Sequence, residues 1–278
     1  MKKITITALV DNMVSRSGVQ GEHGLSICVD TPEGAVLWDT GQSELFIENA
    51  KKLGISLHRV QHIALSHGHY DHTGGVLGMV SRIPNCTVYA HPGIFTGRFT
   101  PDRENPGSSA AIGIPYEKQV IETHCREVKL SREPREIIPG VFLTGEIPRV
   151  TGFEDTGGAF FLDAACTKPD PISDDQSLII ETMGGLVVLL GCCHAGLINT
   201  LLTIGKRWET DEFLLIAGGM HLMNASADRM NHTVDALREF TIRELCPGYC
   251  TGWNAVCTLQ SAFPDITHPL SVGWRWRG

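Results

Sequence analysis

The run Ser66-His67-Gly68-His69-Tyr70-Asp71-His72-Thr73-Gly74-Gly75 follows directly on the apolar residues Ile63-Ala64-Leu65. That junction constrains the chain more than any other stretch. A strand alternates its side chains, and a loop leaving its end can turn several of them toward one point. Three imidazoles and a carboxylate in so short a loop are ligands suited to zinc or another borderline divalent ion, at about 2.0–2.2 Å. His67 and His69 would share one ion, while Asp71 and His72 reach a second. The competing reading is a polar surface loop that is rich in histidine by chance. Four ligand-type residues flanked by glycines argue against it.

The rest of the pattern fits an α/β chain. Ile4 to Leu9 alternates as a strand, and Leu25 to Val29 with Ala35 to Trp38 reads as a hairpin closed through Pro32-Glu33-Gly34. Asp39-Thr40-Gly41 ends that hairpin. Ser43 is placed to cap a helix through Leu53, which Gly54 stops. Val60 to Leu65 is the strand that delivers the histidine loop, followed by a helix from Gly75 to Ile83 and a strand from Thr87 to Ala90. From Phe95 to about Gly140 prolines and glycines break the periodicity, which predicts a lid-like insertion near 95–140. Strands are expected at Val141 to Leu143, Ala159 to Leu162, Ser177 to Glu181 and Leu186 to Gly191. Then come a helix (Ile198 to Trp208), a strand (Phe213 to Ala217), a helix (Ala227 to Phe240) and a short strand near Leu245. No repeat of fixed period interrupts this order, so the 278 residues read as a single domain.

Two further histidines stand at predicted strand ends. His194 follows the apolar run Val187-Val188-Leu189-Leu190 and lies between glycines that permit close approach. It is expected to join His67 and His69 in a three-histidine site rather than serve as a helix cap. His221, after Leu214-Leu215-Ile216-Ala217-Gly218-Gly219, is expected to be a ligand or a substrate contact. Asp39 could bind metal, but its place before Thr40-Gly41 suits a carboxylate that orients the histidine loop through hydrogen bonds. Arg98 is a candidate anion contact, and His91 could line the pocket.

A net charge of −8 argues against a nucleic-acid-binding surface, which needs clustered Lys and Arg. No run approaches the roughly 20 apolar residues that span a bilayer. Nine cysteines without regular spacing suggest neither a disulfide framework nor a zinc ribbon. The expectation is a cytoplasmic protein with a small-molecule substrate, no nucleic-acid or membrane partner, and an oligomeric state left open.

The histidine run resembles the HxHxDH signature of the metallo-β-lactamase superfamily, and Trp38-Asp39-Thr40-Gly41 resembles its strand-end aspartate motif. Four further pieces narrow the resemblance: Asp174-Asp175-Gln176-Ser177-Leu178, Gly191-Cys192-Cys193-His194-Ala195-Gly196, Gly218-Gly219-Met220-His221-Leu222 and Cys250-Thr251-Gly252-Trp253. Together they are similar to the branch of dihydropterin-methyl-ribofuranosyl-aminobenzene-phosphate synthases, a methanopterin-pathway activity. The resemblance implies an αββα sandwich of two mixed sheets with helices on both outer faces. It also implies one or two divalent ions, zinc first, with Mg, Mn and Fe left open. The ligands would be His67, His69, Asp71, His72, His194 and His221, and Asp71 would also accept a proton.

Two departures matter. Cys192 stands where many members carry a bridging aspartate, and Tyr249 where relatives in the branch tend to have histidine. Asp175 could supply the missing carboxylate or be an ordinary polar residue. Cys192 could be a thiolate ligand, with a buried structural cysteine the safer reading. Two uses of the site follow: hydrolysis of a small ester, lactone, thioester or phosphoester, or metal-assisted displacement of pyrophosphate from a pterin methylene. A non-catalytic metal- or pterin-binding sensor on the same scaffold is the alternative class. Because the bridge is missing, the second metal position is expected to be the weaker one.

Overall fold

The computed structural model describes residues 4–278. Strand side chains sort into three apolar layers, and those layers define the architecture. Ile6, Ala8, Ile27, Val29, Val36 and Trp38 point inward and pack against Leu178, Ile180, Val187, Leu189, Leu215 and Ala217. The alternate residues Cys28, Ala35, Leu37 and Ile63 point outward, against Phe46, Ala50, Leu53, Val76 and Met79. On the other side Ile179, Val188, Leu190 and Ile216 pack outward against Leu197, Leu201, Ile204, Leu237 and Leu259. Strands buried on both faces read as unbroken apolar runs, which is how Val187 to Leu190 and Phe213 to Ala217 appear in the sequence.

The first sheet runs Arg275–Arg277, Thr5–Val10, Ser26–Thr31, Gly34–Trp38, Val60–Ala64, Thr87–Ala90, Glu127–Leu130. The second runs Thr241–Ile242, Glu212–Gly219, Gly185–Leu190, Leu178–Thr182, Val141–Leu143, Arg135–Ile138, and Leu245–Gly248 also pairs with Glu212–Gly219. Helices Leu45–Leu53 and Val76–Arg82 cover the first sheet. Leu197–Trp208, Ala227–Leu237 and Trp253–Ala262 cover the second. The expected αββα sandwich is what forms.

The 95–140 stretch divides in two. Phe99–Pro101 and Ser109–Ala111 make a two-stranded ribbon, and the chain after it runs alongside the histidine loop. Tyr70 N donates to Ile112 O at 3.0 Å, and the Tyr116 hydroxyl donates to Gly74 O at 2.8 Å. The remainder is scaffold: Lys118–Glu122 is a helix, and Glu127–Leu130 and Arg135–Ile138 are strands of the first and second sheets. Their charged residues masked the alternation, and only the first part of the stretch lies beside the histidine loop.

The strand expected at Ala159 to Leu162 does not form. Phe161 makes isolated pairings with Phe99 and Pro169, and Phe160 turns toward the histidines. Helix Trp253–Ala262 and strand Arg275–Arg277 were not foreseen.

Candidate metal centre

The histidine loop is held by two carboxylates. Asp39, fully buried at the end of strand Gly34–Trp38, accepts from Ser66 N and Ser66 Oγ, both at 2.7 Å, and from His72 Nδ1 at 2.7 Å. Asp39 thus orients the loop rather than presenting a free oxygen to the cleft. Between Ser66 and His72, Gly68 N donates to Asp174 Oδ2 at 2.9 Å. Asp174 in turn accepts from Arg98 Nη2 at 2.5 Å, and Arg98 Nε donates to Asp170 at 2.7 Å. Arg98, expected as an anion contact, is a buried pillar whose charge is already paired. Position 68 must be glycine, because a Cβ there would lie 2.2 Å from Ile94 O.

The opposing residues come from neighbouring parallel strands. Gly185–Leu190 pairs with Glu212–Gly219, which pairs with Leu245–Gly248, and the chain beyond these three ends carries Cys192 and His194, His221, and Tyr249 and Cys250. The backbone bends sharply to aim them. Asp39, Cys193, His221 and Tyr249 all have left-handed φ, between 45° and 62°. Non-glycine residues adopt that region at a cost of order 1–2 kcal/mol, so their grouping here marks a site that the surrounding packing holds in place.

Every residue expected in the site is buried and brought to one cleft. His67 Nε2 faces His69 Nδ1 at 2.9 Å, and the His194 ring lies 4.8 Å from His67 and 5.0 Å from His69, centre to centre. His194 Nδ1 donates to Thr156 O at 2.8 Å, which leaves Nε2 free. His72 has the same arrangement: Nδ1 is bound to Asp39, and Nε2 lies 3.1 Å from Cys192 Sγ. An imidazole with one nitrogen tied to a carbonyl or carboxylate and the other turned inward is the usual state of a metal ligand. His69 Nε2, His194 Nε2 and His221 Nδ1 are buried without a hydrogen-bond partner. Leaving such groups unpaired is costly, so the chemistry of this donor set fits a divalent cation.

Three sets of donor atoms, each within 4.8 Å of one another, occupy the cleft: His67, Cys192 and His194; Asp71, His72 and Cys192; and Cys192, His221 and Cys250. Cys192 belongs to all three. Asp175 belongs to none of them among the described residues; it accepts from Ala195 N at 2.8 Å and so supports the loop carrying His194. His91 is engaged elsewhere, accepting from Gly93 N at 3.0 Å.

Burial sets the protonation states. It lowers His69 to about 3 and pushes His67 and His194 well below the usual histidine range. All three are therefore neutral, as ligands must be. For His72 burial also works against the charge, but Asp39 and Asp71 outweigh it and raise the ring to about 9. Burial raises Asp175 to about 7 and the Cys192 thiol well above its ordinary value.

Four further residues border the site; the sequence singled out Tyr249, as standing where relatives in the branch tend to have histidine, and gave the other three no role. Phe160 sets its ring 5.2 Å from His69, 5.1 Å from His194 and 5.8 Å from His221, covering all three. Only the two glycines before it hinted at a close approach. The Tyr249 hydroxyl donates to Asp71 Oδ2 and lies 3.2 Å from His23 Nε2, so His23, which has no ligand spacing, stands at the rim. Cys250 was visible only as part of a motif.

Several known proteins are similar to this chain. The profile of the metallo-β-lactamase superfamily matches residues 19–160. The 7,8-dihydropterin-6-methyl-4-(β-D-ribofuranosyl)-aminobenzene-5'-phosphate synthase of Methanocaldococcus jannaschii is 30% identical, over 91% of this chain and 88% of its own length. An uncharacterized protein of the same archaeon is 28% identical, over 92% and 93%. The crystal structure of Tm1679, described as a metal-dependent hydrolase of the β-lactamase superfamily, is 29% identical and superposes with a TM-score of 0.82 over 98% of both chains. With the sandwich, the histidine loop and these relatives in agreement over nearly its whole length, the chain belongs to the metallo-β-lactamase superfamily.

Proposed function

We propose that this protein is a metal-dependent enzyme acting on a small phosphorylated or ester-type substrate, with a dihydropterin pyrophosphate as the preferred class. The observation that carries the reading is the convergence of His67, His69 and His194, neutral and buried, with two inward nitrogens lacking any partner. These three imidazoles would hold the first ion. Asp71 and His72 would hold the second, with His221 the remaining imidazole of the cleft. Zinc suits the set best.

A bound divalent ion supplies Lewis acidity toward a phosphoryl or carbonyl oxygen and brings the pKa of a coordinated water toward about 7. The chain's own residues do the rest. Asp71, fixed by the Tyr249 hydroxyl, accepts a proton from the attacking water or amine. Asp39 holds the His72 ring, and Thr156 O holds the His194 ring. Phe160 keeps bulk water from the histidines. In the pterin reading an aromatic amine or ring carbon attacks the pterin methylene, and pyrophosphate leaves with the electron pair of the broken C–O bond. The M. jannaschii synthase supports that substrate class; Tm1679, described as a metal-dependent hydrolase, supports hydrolysis.

The partner is a small molecule, since nothing in the acidic composition suits nucleic acid. No helix among the described residues is long and apolar enough to cross a membrane. The test combines elemental analysis of protein purified without added metal with turnover of pterin pyrophosphate, phosphoesters and lactones. Metal-dependent turnover abolished by chelator is expected. Tight metal or pterin binding without turnover of any substrate would instead identify a sensor.

A further inference from the structure

Cys192, His221 and Cys250 occupy equivalent places in the fold. Each lies two residues past the last residue of its strand, and the three strands Gly185–Leu190, Glu212–Gly219 and Leu245–Gly248 are parallel neighbours. Two glycines make room for them. A Cβ on Gly219 would lie 2.6 Å from Cys250 Sγ, and one on Gly157 would lie 2.0 Å from His221 Cδ2. All three side chains are buried, their donor atoms lie within 4.8 Å of one another, and His221 Nδ1 has no partner. A structural cysteine needs only apolar neighbours. Two thiols set against a buried imidazole, in space that glycines keep open, are a donor set.

We propose that Cys192, His221 and Cys250 form a thiolate-rich metal position, and that the Cys192 sulfur is shared with the imidazole position at His67 and His194. This rests on the reading of the cleft as a metal site and assigns its ligands and its metal preference. Cys192 then does the bridging that a carboxylate was expected to do. Charge supports the assignment. Two thiolates neutralise a divalent ion, whereas neutral imidazoles leave its charge uncompensated in a site with little water. Binding exchanges two S–H bonds for two sulfur–metal bonds, and both protons leave to solvent. Soft sulfur donors select zinc, cadmium or cobalt over magnesium, calcium and manganese.

The test is cobalt(II) titration of chelator-treated protein carrying Cys257→Ser, which removes the exposed thiol. Visible d–d absorption reports any bound cobalt, and near-ultraviolet sulfur-to-cobalt charge transfer reports thiolate ligation. Both are expected, with zinc displacing the near-ultraviolet band and a large excess of magnesium leaving it intact. Cys250→Ser should remove roughly half of that band, one sulfur of two. Cys192→Ser should remove nearly all of it and leave weaker d–d absorption from the imidazole position. Visible bands without near-ultraviolet absorption would overturn the thiolate position while leaving the metal reading standing. A near-ultraviolet band unchanged in both variants would overturn it too. Absence of both kinds of band would overturn the metal reading itself. The Cys257→Ser protein alone decides the first and last outcomes, so a variant that fails to fold does not shield the proposal.

Discussion

The two walls of the cleft are built in opposite ways. The first sheet supplies His67, His69, Asp71 and His72 from one continuous loop, braced by Asp39 at Ser66 and His72 and by Asp174, with Arg98, at Gly68. The second sheet supplies Cys192, His194, His221 and Cys250 from three separate strand ends, brought level by parallel pairing. A loop can be shaped by local hydrogen bonds. Strand ends can be aligned only by the sheet beneath them. The first wall therefore depends on a few specific contacts, and the second on the register of a large apolar core.

The comparison predicts how each wall responds to damage. The largest effect should follow loss of a loop imidazole. His69→Ala is expected to lower turnover more than about 100-fold, beyond the range for an outer hydrogen-bonding partner, with most bound metal lost. The chelated protein should melt close to the chelated wild type, since His69 supports no apolar layer. Retention of wild-type metal content would remove the loop from the ligand set.

Asp39→Asn tests the brace rather than the ligand. Metal affinity is expected to fall about 10–100-fold, and its pH dependence should change sign-consistently with His72. In the wild type Asp39 and Asp71, working against burial, raise His72 to about 9. Metal binding at neutral pH must then displace that proton, so affinity rises with pH and levels off only above about 9. In the variant the ring loses a proton at lower pH and the rise ends earlier. The deficit measured by metal-buffer titration should therefore be largest near pH 9 and shrink toward pH 7. A deficit independent of pH would mean that Asp39 does not control His72.

The smallest effect belongs to the second wall. Gly157→Ala places a methyl against the His221 ring at a backbone φ of +83°, costing about 1 kcal/mol in the backbone alone. Thermal denaturation should show that modest loss, and metal analysis should show one ion retained and one weakened. Loss of both ions together would show that the two positions do not bind independently.

This contrast also explains what could be read from the residues alone. The Ser66–Gly75 loop was legible because its donors are adjacent, and His194 and His221 were legible because each follows an unmistakable apolar strand. The strands of the two inner layers were placed to within a residue or two by their hydrophobic runs. Cys250 was given no ligand role and Tyr249 was marked only as replacing a histidine, because the short strand expected near Leu245 contains cysteine, proline and glycine, which left its end and the residues beyond it unaimed. Phe160 was assigned to a strand, as aromatic residues favour one, but only its neighbour Phe161 pairs, through isolated bridges to Phe99 and Pro169. The edge strands Glu127–Leu130 and Arg135–Ile138 were hidden by charged residues that an edge tolerates and a central strand does not.

Trp38 has a consequence that reaches across the molecule. Its indole Nε1 donates to Leu190 O at 3.2 Å, spanning the space between the sheets immediately beneath the cleft. The next residue on one side is Asp39, and Cys192 follows within two residues on the other. The indole is thus a spacer of fixed length between the two banks of donors, rigid where a stack of aliphatic side chains would be compressible. The separation of the two banks of donors is then braced from below by the width of one ring system, and a shorter residue at position 38 should loosen that separation without altering a single donor.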